Sequence, residues 1–104
     1  MLRGIVLVEV AASVNEALAL LDRLKPDVVI TDVRMPGMDG FELTRRLKAR
    51  RTPPTVVMMT GLESAELHDE ARVAGADCLL EKSRLHKLLP PFLVERFGVG
   101  HTPV

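Results

Sequence analysis

The chain has little in it that would staple it together or draw it to a charged surface. Its one cysteine, Cys78, excludes an internal disulfide framework and fits a reducing, cytoplasmic setting. No His or Cys stands at ligand spacing from it, so Cys78 reads as a small core hydrophobe. Lys+Arg and Asp+Glu both number 14, and zero formal charge argues against a general electrostatic grip on nucleic acid or anionic membrane. No apolar run approaches the length of a membrane span. The opening run resembles the start of a signal peptide, but Glu9 interrupts it and it is too short, so it reads as a strand. Repeats and low-complexity segments are absent. At 104 residues the chain is expected to be one domain over 1–97 with a flexible tail over 98–104.

What is present centres on residues 27–40, Asp-Val-Val-Ile-Thr-Asp-Val-Arg-Met-Pro-Gly-Met-Asp-Gly. Val28, Val29 and Ile30 form a β-branched run that reads as a strand buried on both faces. It ends in Asp32, and Pro36-Gly37 with Asp39-Gly40 then force a turn. A carboxylate at the carboxyl end of a buried parallel strand lies where open α/β sheets place their ligand sites. Asp also commonly caps turns, so this stretch alone leaves both roles open.

The rest of the chain alternates strand and helix. Residues 5–10 form the first strand. Ser13, with Glu16 three residues on, opens a helix as a capping box, and Lys25-Pro26 stops it. Asp39 caps a second helix with Phe41, Leu43 and Leu47 toward the core and Arg45, Arg46, Lys48, Arg50 and Arg51 outward. No aromatic is interleaved with that basic cluster, so it reads as a solvated face. Residues 55–59 form a buried strand running into Thr60-Gly61. Ser64 caps a third helix that Gly75 closes, and residues 78–80 form the last strand. The tail carries helical spacing at Leu85, Leu88, Leu89, Phe92 and Leu93. Pro90-Pro91 lies inside it, which predicts a turn and then a helix starting near residue 90 or 91. This β-α-β-α-β-α-β-α order makes a parallel sheet with right-handed crossovers.

Asp32, Thr60 and Lys82 each fall at the carboxyl end of a successive strand. A carboxylate there can attack a phosphoryl group while a hydroxyl and an ammonium hold its charged oxygens. Singly, a turn-capping threonine and a solvated lysine are the commoner readings; the three together are harder to dismiss.

The segment from Asp32 to Gly40 resembles the phospho-acceptor loop of response-regulator receiver domains of two-component signalling. The similarity runs from Ala12-Ser13-Val14-Asn15-Glu16-Ala17-Leu18 through Gly75-Ala76-Asp77 to Lys82. Thr60 follows Asp32 by 28 residues and Lys82 follows it by 50, as in that family. The resemblance implies a flavodoxin-like α/β fold, a parallel sheet with helices on both faces. It implies that Asp32 accepts phosphate from a sensor histidine kinase or phosphotransfer protein and relays it by conformational change to an output protein. Thr60 would report the phosphate by rotating toward it, and Lys82 would pair with it. Mg²⁺ would be held by Asp32 and the main-chain carbonyl of Arg34. The chain would be no enzyme in its own right.

Receivers begin with a strand ending in two adjacent acids, then a helix, and this chain is expected to lack that unit. The family's strand order is 2-1-3-4-5, so the missing strand is the central one. About four strands would remain, the first pairing directly with the Val28 strand. One sheet face is then left to the tail helix, which invites homodimerisation and lowers monomer stability. The metal site is also thinned, with Glu9 replacing one acid if the first strand takes the central slot. Leu79 stands where many receivers carry an aromatic, and Ser83 where a proline is common; both bear on output. A competing function follows: a truncated or degenerate receiver acting as a phosphorylation-independent binding module. A haloacid-dehalogenase-type phosphatase is set aside because Arg34 occupies the place of its second Asp. With no DNA-reading motif in these residues, direct contact with nucleic acid is not expected of this chain.

Overall fold

Strands at residues 5–8, 28–32, 55–60 and 78–81 lie side by side in that order as a four-stranded parallel sheet. The computed structural model describes residues 4–8, 13–35 and 38–98. In chain order these are β1 (Ile5–Val8), α1 (Val14–Leu24), β2 (Val28–Asp32), β3 (Arg34–Met35), β4 (Met38–Asp39), α2 (Gly40–Lys48), β5 (Thr55–Thr60), α3 (Ala65–Ala74), β6 (Cys78–Glu81) and α4 (Leu85–Phe97). A 3-10 turn, Lys82–Arg84, joins β6 to α4. As expected, β1 pairs directly with β2, with Ile5 beside Val28 and Val8 beside Thr31. The short β3 and β4 form an antiparallel ladder of two residue pairs.

Capping chemistry sets the helix starts. Ser13 accepts from the Glu16 N–H, Asp39 from the Phe41 N–H and Ser64 from the Leu67 N–H. Each bond satisfies a backbone donor that the first helical turn leaves free. Gly75 closes α3 at φ +98°, a conformation that costs glycine nothing.

Because successive strand residues point to opposite faces, each buried strand feeds two cores. Val29, Val56, Met58 and Leu79 pack with Ala17 and Leu21 of α1, Leu43 and Leu47 of α2, and Ala71 and Ala74 of α3. Val28, Ile30, Val57, Met59 and Leu80 face the other way, against Leu85, Leu88, Leu89, Phe92, Leu93 and Phe97 of α4. Among the described residues α4 alone covers that second face, and Ile5 beside it is 43% exposed.

Two expectations need correction. Helix α4 begins at Leu85, not near the prolines, and runs through Pro90 and Pro91. Each proline removes a helical hydrogen bond, at a cost of about 3 kcal/mol in a helix interior. Six apolar side chains on the sheet-facing stripe, each partly buried against the second core, offset that by removing apolar surface from water. The basic cluster of α2 is also not uniformly solvated. Arg45, Arg46 and Arg51 are exposed, but Lys48 Nζ donates to Asp77 Oδ2 at 2.8 Å and to the Pro54 carbonyl at 2.9 Å. Arg50 pairs with Asp22 at 2.8 Å, tying the end of α2 to α1.

Candidate functional site

Parallel pairing sets the site out in steps. Asp32 closes β2 opposite Met59 of β5; Thr60, the next residue, lies opposite Glu81 of β6; Lys82 follows Glu81. The three predicted residues thus advance along one rim of the sheet, a residue further on each successive strand.

Lys82 reaches back across β5 to Asp32. Its Nζ lies 3.3 Å from Asp32 Oδ1 and 3.4 Å from Oδ2. The Asp32 side chain is 19% exposed and that of Lys82 is 51% exposed. This is a rim pair, screened by water and open to an approaching donor, so it adds little to stability. Its value is positional: a cation stands beside a carboxylate that remains partly open to solvent.

Thr60 is largely buried and lines one cleft of about 350 Å³ with Asp32, Arg34, Gly61 and Leu67. Its hydroxyl is otherwise engaged, donating to the Leu62 carbonyl at 3.1 Å and accepting from the Leu62 N–H at 3.2 Å. Asp32 and Lys82 therefore meet directly, while Thr60 shares their neighbourhood with its oxygen held by the following loop.

The turn after Asp32 is held by the backbone. Val33 N–H donates to the Met59 carbonyl at 2.9 Å, and the Val33 carbonyl accepts from the Gly40 N–H at 2.8 Å. Sequence reasoning placed Gly40 only as a turn former and did not single out Leu62. A glycine right after a helix cap was the signal for the first; nothing in the sequence marked the second.

Among the described residues no group of three or more His, Cys, Asp or Glu side chains is placed to hold a metal ion. Arg34 stands beside Asp32 in the cleft, and Glu9 lies outside the described residues. Leu79 is buried in the first core, and the Lys82–Ser83 peptide bond is trans. The Cys78 thiol packs against the α4-side core and is unpaired. Burial, with Asp77 and Glu63 adding like charge, raises its pKa above the ordinary thiol range. No helix among the described residues is long and apolar enough to cross a membrane.

Residues 2–90 match the response regulator receiver domain family. The Positive alginate biosynthesis regulatory protein of Pseudomonas aeruginosa is 47% identical over 60 residues, 58% of this chain and 22% of that protein. The Transcriptional regulatory protein FixJ of Bradyrhizobium diazoefficiens is 44% identical over 71 residues, 65% of this chain and 35% of that protein. The matched stretch thus spans about a fifth of the first relative's length and just over a third of the second's. In fold it is similar to the CheY-like response regulator receiver domain protein of Methanospirillum hungatei, with TM-score 0.72 and 24% identity over 96% of this chain and 100% of that one.

Proposed function

The chain belongs to the response regulator receiver domain family, and on that premise we propose that it is a phospho-acceptor of two-component signalling, with Asp32 as the accepting residue. The observation that carries this reading is the Lys82 ammonium within 3.4 Å of both Asp32 oxygens, fifty residues away in sequence. In the reaction one Asp32 oxygen attacks the phosphorus of a phosphohistidine on a kinase or phosphotransfer protein. The P–O bond forms as the P–N bond breaks, and its electron pair returns to the imidazole. Lys82 holds negative charge throughout, first on the carboxylate and then on the phosphoryl oxygens. Thr60 takes the reporting role: its hydroxyl leaves Leu62 and turns to the phosphoryl group, which frees the loop ahead of α3 for an output protein. The chain acts as an acceptor and relay, not as an enzyme with a substrate of its own.

Receiver domains generally bind Mg²⁺ at the phosphorylation site. The described residues bring one carboxylate, Asp32, and the main chain of Arg34 to that place, and the carboxylate already faces Lys82. That donor set falls short of the octahedral oxygen shell Mg²⁺ demands. The described residues therefore do not by themselves fit a resident Mg²⁺.

Incubation with acetyl phosphate at millimolar Mg²⁺, read by intact mass, tests the reading. One phosphoryl group is expected on the native chain and none on Asp32→Ala. Labelling that survives in Asp32→Ala overturns the assignment. No labelling of a folded native chain overturns it too, in favour of phosphorylation-independent binding.

A further inference from the structure

The strands' amino-terminal ends carry a second cleft, of about 430 Å³, built by the residues around Pro26 and by the 50–55 turn, with the end of α4 closing it. That volume lies in the range of small-molecule sites, roughly 300–1,000 Å³. Strand β2 spans five residues at about 3.3 Å each, so this rim is separate from the one carrying Asp32.

Charge is concentrated there. Lys25, Arg50, Arg51 and Arg96 line the cleft against two carboxylates, Asp22 and Asp27, in a chain whose formal net charge is zero. Arg50 is held by Asp22. Arg96 Nε donates to the Thr55 hydroxyl at 3.1 Å, and its guanidinium stands 3.8 Å from Asp77. Both arginines are thus oriented by the protein with donors to spare, since a guanidinium carries five N–H groups. Among the described residues, the side chains of Lys25 and Arg51 have no hydrogen-bond or ion-pair partner, and both residues are exposed.

Lys25 carries a further mark. It is the one described non-glycine residue at positive φ, +47°, a left-handed conformation that disfavours side chains by about 1–2 kcal/mol. Its N–H donates to the Leu21 carbonyl at 2.8 Å, capping α1. Glycine would cap that helix without strain; the lysine places an ammonium at the cleft instead. The prolines at 26, 53 and 54 stiffen the walls, because the ring fixes φ.

We propose that this cleft binds a small molecule carrying a multiply charged phosphate group, at a site distinct from Asp32. Three guanidinium groups and an ammonium around one cavity suit phosphate oxygens, which arginine engages through paired, charge-assisted hydrogen bonds.

Inorganic pyrophosphate, titrated into the isotopically labelled full chain and followed by amide NMR at constant ionic strength, tests the site. Saturable shifts are expected at the amides of Lys25, Asp27, Arg50, Arg51, Thr52 and Thr55. A Lys25→Ala/Arg51→Ala variant changes two exposed, unpaired side chains and keeps the native spectrum elsewhere; its affinity is expected to fall roughly ten-fold or more. Shifts centred on Asp32, Thr60 and Lys82 would overturn the proposal. So would unchanged affinity in the double variant, or equal affinity for sulfate, which would mean attraction of any anion.

Discussion

Gly40 lies so close to the backbone of Asp32 that its α-carbon has no room for a side chain. A Cβ there would overlap the Asp32 carbonyl oxygen and approach the Val33 carbonyl oxygen to 2.7 Å. The first residue of α2 thus clamps the end of the strand that presents the carboxylate. Backbone lies on the far side of the contact, so no flexible side chain can move aside.

Gly40→Ala is therefore expected to lower stability by about 1–3 kcal/mol, the usual range for overpacking. In a domain of this size that is a fall in Tm of roughly 4–8 °C per kcal/mol. Urea unfolding checks it, and a stability within about 0.5 kcal/mol of native would show that the turn yields.

On the proposed function, Thr60→Ala is expected to separate acceptance of phosphate from reporting. With Asp32 and Lys82 intact, acetyl phosphate labelling is expected to persist. The two Leu62 hydrogen bonds are lost, so the Leu62 amide should exchange faster in the unlabelled protein. Its chemical-shift response to beryllofluoride should disappear. A variant that responds at Leu62 as the native chain does would place the relay elsewhere.

Asp77 is the anchor at the opposite rim. Its Oδ2 accepts from the Val56 N–H and from Lys48 Nζ, each at 2.8 Å. Asp77→Ala strands a backbone donor and a partly buried ammonium, and is expected to cost about 2–3 kcal/mol. Lys48→Ala removes one of those partners, so the double variant should fall short of the summed losses by roughly 0.5 kcal/mol or more. Strict additivity in a denaturant cycle would contradict the contact.

The raised Cys78 pKa sets a direction with pH. At pH 8 a smaller fraction is thiolate than in an unfolded chain, so alkylation should be slower in native protein than in urea, and the difference should shrink at higher pH. The folded state retains this proton longer than the unfolded state does. Its contribution to stability is therefore whole below the unfolded thiol's pKa and declines as pH rises through the folded one. Equal alkylation rates with and without urea at pH 8 would refute the burial of the sulfur.

Much of this was legible because its signals are local. Ser13, Asp39, Ser64 and Gly75 each act within a helical turn, and the β-branched runs at 28–30 and 55–57 declare buried strands without reference to partners. Asp32 and Lys82 were placed by the rule that parallel strands end on a common rim. The failures depend on contacts distant in sequence. A proline pair forbids a helix by local rules, yet α4 forms across it because the sheet needs its apolar stripe. Lys48 looks solvated until Asp77, at the foot of β6, comes to meet it. The Thr60 hydroxyl has several acceptors within reach by sequence, and only the path of the loop selects Leu62.

Lys82 opens the three-residue turn that delivers the chain into α4, and α4 is the one described helix over half of the core. The amine that meets Asp32 and the roof of that hydrophobic layer are thus joined by one three-residue turn. A tug of an ångström at the rim has a short lever onto Leu85 and Leu88, where oil-like surface waits beneath.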